Sequence, residues 1–142
     1  MAEALGAVEA VGLASSILTF VDIGYKVVSS AHEIYSSTSG VTLENEQIAS
    51  TTADLEGVTA TLLSSHLAVN DPDLIKLAKK CQSLSQDLLK LLGSFQPKNR
   101  SKFRSLTAAV SPKWEQKDVS AIEHRLGVYR QEINFHLSHN FL

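Results

Sequence analysis

Apolar residues recur along the chain at intervals of three and four, the spacing of one helix face. The sharpest stripe is Leu74, Leu77, Cys81, Leu84, Leu88 and Leu91, with Lys76, Lys79, Lys80, Gln82, Gln86 and Lys90 off it. Phe20, Ile23, Val27, Ala31 and Ile34 repeat the pattern. So do Ile48, Leu55, Val58 and Leu62, with Thr51 filling the gap, and Val119, Ile122, Leu126, Tyr129, Ile133 and Leu137. No stretch alternates at period two for long enough to make a strand. The pattern predicts helices at about 3–20, 22–38, 43–67, 72–92, 100–109 and 115–139. Short connections make successive helices antiparallel, so the expected fold is all-α: a single domain over residues 1–142, an up-and-down bundle of four to six helices with an apolar N-terminal helix.

The boundaries carry their own chemistry. Gly40 supplies a left-handed residue after the second segment, and Thr42 with Glu44 and Glu46 behind it can open the next. Asn70-Asp71-Pro72-Asp73 is a start signal, combining a side-chain acceptor, proline in the first turn and an acid. GSFQPKN at 93–99 reads as a turn, and Ser111-Pro112 breaks the pattern before the last helix, near Trp114.

The opening stretch GAVEAVGLASSILTFV, from Gly6 to Val21, carries one charge, Glu9. Its longest uncharged run, Ala10 to Val21, is twelve residues, whereas a spanning helix needs about 20, so a constitutive transmembrane helix is not expected. Ala2, Gly6, Ala10 and Ala14 fall every fourth residue, a ridge of minimal side chains that lets helix backbones approach closely. Beside it lie Leu5, Val8, Val11, Leu13, Ile17, Leu18 and Phe20. Two explanations remain open: a helix that associates with others in lipid, or the crowded first helix of a soluble bundle.

Charge is divided unevenly. Residues 1–75 hold ten acids against Lys26 alone, and residues 76–142 hold twelve basic residues against five acids. Either the second half meets an anionic partner or the two halves pack on each other. The segment Lys98 to Arg104 places Lys98, Arg100, Lys102 and Arg104 around one aromatic, Phe103. It suits anionic lipid better than nucleic acid, for which one aromatic is too few for a stacking platform; a merely solvated connector is the competing reading.

Candidate chemistry is sparse. No phosphate loop, nucleophile elbow or HExxH motif is present, and the five histidines are scattered, so no enzyme, cofactor or metal is expected. Glu132, His136 and His139 lie on adjacent turns of the last helix, but no second helix offers a matching carboxylate and histidine pair. Cys81, the sole cysteine, sits on an apolar stripe and reads as core; it excludes an internal disulfide. The first charges are acidic, unlike a secretory signal, which points to the cytosol.

EALGAVEAVGLASSILTFVDIGYKVVSSAHEIYSSTSG with Glu44-Asn45 resembles the start of fungal HeLo-like domains, the helical N-terminal domains found ahead of NLR-type receptors. The Phe20-Val21-Asp22-Ile23-Gly24 turn, Glu33-Ile34-Tyr35, Leu77-Ala78-Lys79-Lys80-Cys81 and the terminal Arg125-Leu126, Tyr129-Arg130-Gln131, Ile133-Asn134 and His136-Leu137 extend the likeness over nearly the whole chain. The resemblance implies a cell-death effector, cytoplasmic at rest, whose N-terminal helix is shielded in a bundle and enters the plasma membrane on homo-oligomerisation. An upstream receptor or amyloid-type signalling partner would drive that change; no nucleic acid is implied. Carried onto this sequence, Met1 to Val21 is the inserting element, with Leu5, Val8, Val11, Leu13, Ile17, Leu18 and Phe20 toward lipid and Ala2, Gly6, Ala10 and Ala14 as the packing ridge. Glu3 and Glu9 would line a polar interior, and Lys98, Arg100, Lys102 and Arg104 would meet anionic lipid. A nucleotide-binding domain or amyloid motif, the usual neighbour, is absent from these 142 residues. The alternative is an adaptor bundle that self-associates or binds a partner without entering a membrane.

Overall fold

The computed structural model describes residues 2–36, 45–65, 69–95 and 114–140, with the side chains of 2–7, 35, 36, 45, 65 and 140 outside the description. Among the described residues there are four helices, α1 (Ala2–Ser36), α2 (Asn45–Ser65), α3 (Pro72–Gly93) and α4 (Gln116–Asn140), and no strand. The expected helix at 100–109, the Gly40 and Thr42 boundary and the basic segment Lys98 to Arg104 lie outside the described residues.

The periodic stripes form the core. Leu74, Leu77, Cys81, Leu84, Leu88 and Leu91 are buried together with Ile48, Leu55, Val58 and Leu62, and with Val119, Ile122, Leu126, Tyr129 and Ile133. Trp114, just ahead of α4, is half-buried against this core. Asp71 against His136, Lys80 against Glu132 and Asp87 against Arg125 run in opposite chain directions, so α3 and α4 are antiparallel, as an up-and-down bundle requires. α1 packs on all three other helices and α3 does likewise, so these two form the short diagonal of the bundle.

The expected break between residues 20 and 22 does not exist: α1 is one continuous helix of 35 residues. No proline interrupts it, and Ala10, Leu13, Ala14, Ile17, Phe20, Val21, Val27, Val28 and Ala31 keep a helical stripe buried straight through the supposed turn. Asp22 simply faces solvent. Gly24 is a point of close approach, since a Cβ there would lie 2.6 Å from Cδ2 of Leu126 on α4.

The start of α3 follows its signal. Asp71 is the N-cap, its Oδ1 accepting from the Leu74 N–H at 3.3 Å, and Pro72 occupies the first turn, where its missing N–H leaves no gap. At the other end the Ser94 hydroxyl donates to the Leu91 carbonyl at 2.6 Å. α4 opens on half of a capping box, the Glu115 N–H donating to Oδ2 of Asp118 at 2.8 Å. One polar pair lies inside the bundle. Thr59 gives its hydroxyl proton to the Leu55 carbonyl, so Ser85, fully buried, is the donor in their 2.6 Å hydrogen bond between α2 and α3.

Candidate functional site

α1 is the element that sequence singles out, and its two faces differ. Of the side chains expected to meet lipid, Leu13, Ile17 and Phe20 are fully buried in the bundle, Leu18 is half-buried, and Val8 and Val11 are 69% and 48% exposed. Ala10 and Ala14 of the small-residue ridge are also buried, so the ridge packs inside the bundle in this state. Glu9 is exposed. The side chains of Ala2, Glu3, Leu5 and Gly6 lie outside the described residues, as do Lys98, Arg100, Lys102 and Arg104. With the break at residue 21 gone, Val8–Ile34 forms one helix of 27 residues, long and apolar enough by length and composition to cross a membrane. Such a helix also suits a buried position in a soluble bundle, and 44% of its most apolar window is buried.

An open groove runs between the outer sides of α1 and α2. Ser15, Ser16, Thr19 and Ile23 line one wall, and Ala53, Asp54, Gly57, Val58 and Thr61 line the other. Three of its hydroxyls are already satisfied by their own helices: Ser16 donates to the Gly12 carbonyl at 3.1 Å, Thr19 to Ser15 at 3.0 Å and Thr61 to Gly57 at 3.1 Å. The walls are therefore low and need few new hydrogen bonds from whatever approaches. The small residues of α1 are visible in the sequence, whereas the groove is not, because its second wall comes from α2.

Electrostatics separate into a paired seam and unpaired outer faces. Across α3 and α4, Arg125 meets Asp87 at 2.9 Å, Lys80 meets Glu132 at 3.4 Å and His136 Nε2 meets Asp71 Oδ2 at 2.8 Å. Burial by itself lowers the Arg125 pKa, but hydrogen bonds to Tyr129 and Asp87 outweigh it and hold the guanidinium above its ordinary value. By contrast Glu9, Asp22, Glu46, Asp54 and Glu56 are exposed on α1 and α2, and none makes an ion pair or hydrogen bond among the described residues. The unequal charge of the two halves thus leaves exposed acids on different sides of α1 and α2, with exposed Lys26 among them one turn from Asp22. Packing of the halves on each other does not neutralise these five acids.

The groups with catalytic or ligating potential point elsewhere. Glu132 goes to Lys80, His136 to Asp71, and His139 stacks on Phe135 with ring centroids 4.1 Å apart. No group of three ligating side chains gathers among the described residues. Cys81 is buried; desolvation, with a smaller push from Glu132 and an opposing pull from Lys80, raises its thiol from 9.0 to about 12, far from a reactive thiolate. No family model, curated protein or solved structure matches the chain.

Proposed function

We propose that the chain is a membrane-targeting domain of the HeLo-like kind, a non-catalytic effector that disrupts the plasma membrane after homo-oligomerising under an upstream signalling partner. The reading rests chiefly on α1: a single helix with a membrane-length apolar stretch, its larger side chains turned into the bundle and two valines exposed at its N-terminal end. Val8 and Val11 supply the first apolar contact with a bilayer, and Leu13, Ile17 and Phe20 follow when the bundle opens. Because these last three belong to the core, deleting the helix would destroy the fold and test nothing.

The informative variant is Val8→Glu with Val11→Glu, which touches only exposed positions. With vesicles containing phosphatidylserine, the parent chain releases an entrapped dye, and the double variant releases it at least tenfold more slowly with an unchanged helical spectrum and melting temperature. Absence of leakage by the parent chain at every protein concentration would leave the adaptor reading. The open groove between α1 and α2 favours that second reading, because a groove with low, pre-satisfied walls suits a protein helix without any lipid.

A further inference from the structure

The exposed acids of α1 and α2 have a counterpart on the same molecule. Lys76, Lys79, Ser83, Gln86 and Lys90 form the outermost row of α3; all are exposed, and no acid interrupts the row. None of its three lysines makes an ion pair among the described residues, whereas Lys80, one position off the row, is held by Glu132. Asp54 stands on the α2 wall of the groove. On α1, Glu9 precedes and Asp22 follows its small residues, about 140° apart around the helix so that they flank it on opposite sides. Exposed Lys26 lies one turn beyond Asp22. At 1.5 Å per residue, Glu9 and Asp22 are separated by about 20 Å along the helix axis, and Lys76 and Lys90 by about 21 Å. Between the lysines lie Ser83 and Gln86, with no bulky apolar side chain to clash with the groove walls.

We propose that the groove between α1 and α2 receives the outer row of α3 from a second copy of this chain, its lysines meeting Glu9, Asp22 and Asp54. The two surfaces are different and lie on different sides of one bundle, so the contact is head-to-tail, leaves a free groove and a free row at the ends, and extends beyond a dimer. It deepens the homo-oligomeric part of the function proposed above, but it is formed by the closed bundle and needs no membrane, so each can fail without the other.

Sedimentation velocity without lipid tests it. The parent chain at low salt is expected to show a mass that rises with concentration beyond the dimer and falls back as salt is added. Lys76→Gln/Lys79→Gln/Lys90→Gln should weaken association at least tenfold, and Glu9→Gln/Asp22→Asn/Asp54→Asn should do the same, both with unchanged helical spectra. Mixed together, the two variants keep one intact groove and one intact row between them, so the mixture should associate and stop at a 1:1 dimer. A parent chain that stays monomeric, variants that associate like the parent, or a mixture that stays monomeric would each overturn the proposal. So would a lysine variant that loses binding to phosphatidylserine vesicles but not self-association, which would assign the row to lipid phosphate.

Discussion

Gly24→Ala should destabilise the protein even though it removes a glycine from the interior of a long helix. In an open helix position this replacement gains about 1 kcal/mol, through helix propensity and a less flexible unfolded chain. Here the new methyl would lie 2.6 Å from Cδ2 and 3.0 Å from Cδ1 of Leu126. Leu126 is fully buried, so it has no solvent into which to swing, and overpacking of this kind costs about 1–3 kcal/mol. The balance is a loss of up to about 2 kcal/mol, centred near 1 kcal/mol, or a fall of roughly 3–4 °C in melting temperature for a chain of this length. Urea unfolding followed by circular dichroism measures it, and the cycle with Leu126→Ala supplies the control. With Leu126 trimmed, the clash is gone, and Gly24→Ala should stabilise by up to about 1 kcal/mol. Gly12→Ala and Gly57→Ala, where an added Cβ meets nothing within 4 Å, should stabilise in the parent background too. A Gly24→Ala protein more stable than the parent, or the same change in both backgrounds, would refute the close contact of α1 with α4.

Three further outcomes are expected. Asp71→Ala should cost about 1–2 kcal/mol in urea unfolding because it removes the cap of α3 along with the partner of His136, while Asp71→Asn, whose amide oxygen still accepts the Leu74 N–H, should cost less. Thr59→Val should cost about 1–3 kcal/mol by stranding the buried Ser85 hydroxyl, against under about 1 kcal/mol for Ser85→Ala, which leaves the Thr59 proton on Leu55. Because the folded Cys81 thiol is raised to about 12, its contribution is fully present below the unfolded value near 9.0 and is lost as pH climbs from there toward 12; stability measured across that window should fall, and Cys81→Ala should flatten the fall.

Most of the core is legible from spacing alone, because a 3.6-residue period fixes which side of a helix is buried once the helix exists. The α3 stripe and the Asp71-Pro72 start are cases where pattern and cap chemistry agree. At residues 20–24, Asp22 and Gly24 together resemble a helix ending, yet one is solvent-facing and the other is small because α4 crosses there. A glycine that permits a turn and one that permits close contact are identical in sequence, and only the neighbour at Leu126 distinguishes them. The groove and the seam of Asp71, Lys80 and Asp87 with His136, Glu132 and Arg125 were beyond reach for the same reason, since each is assembled from two helices. The charge imbalance is visible in the sequence, but that Asp54 stands on a wall of the groove follows only from the packing of α1 against α2.

In the proposed membrane-bound state, the continuity of α1 sets how far the helix can enter. Contact through Val8 and Val11 disturbs nothing, because both are already exposed. Taking Leu13, Ile17 and Phe20 out of the core forfeits about 1.5–3 kcal/mol each, a sum comparable with the whole net stability of a small domain of about 5–15 kcal/mol. Lipid or neighbouring helices restore that burial, so the exchange can be near balance. Beyond Phe20 the terms change sign. Asp22 and Lys26 follow on the outer face, and each charge at the depth of the hydrocarbon centre costs about 2.5–3.5 kcal/mol on insertion scales, while Val21, Val27 and Val28 would also leave the core. The uncharged run from Ala10 to Val21 measures only about 18 Å against a hydrocarbon layer of about 30 Å. Val8–Ile34 is long enough to cross, but Asp22 and Lys26 make entry past Phe20 costly for a single copy, which is then favoured to thin or perturb the membrane. Disruption then depends on several copies placing these short segments side by side, and so on what holds the copies together.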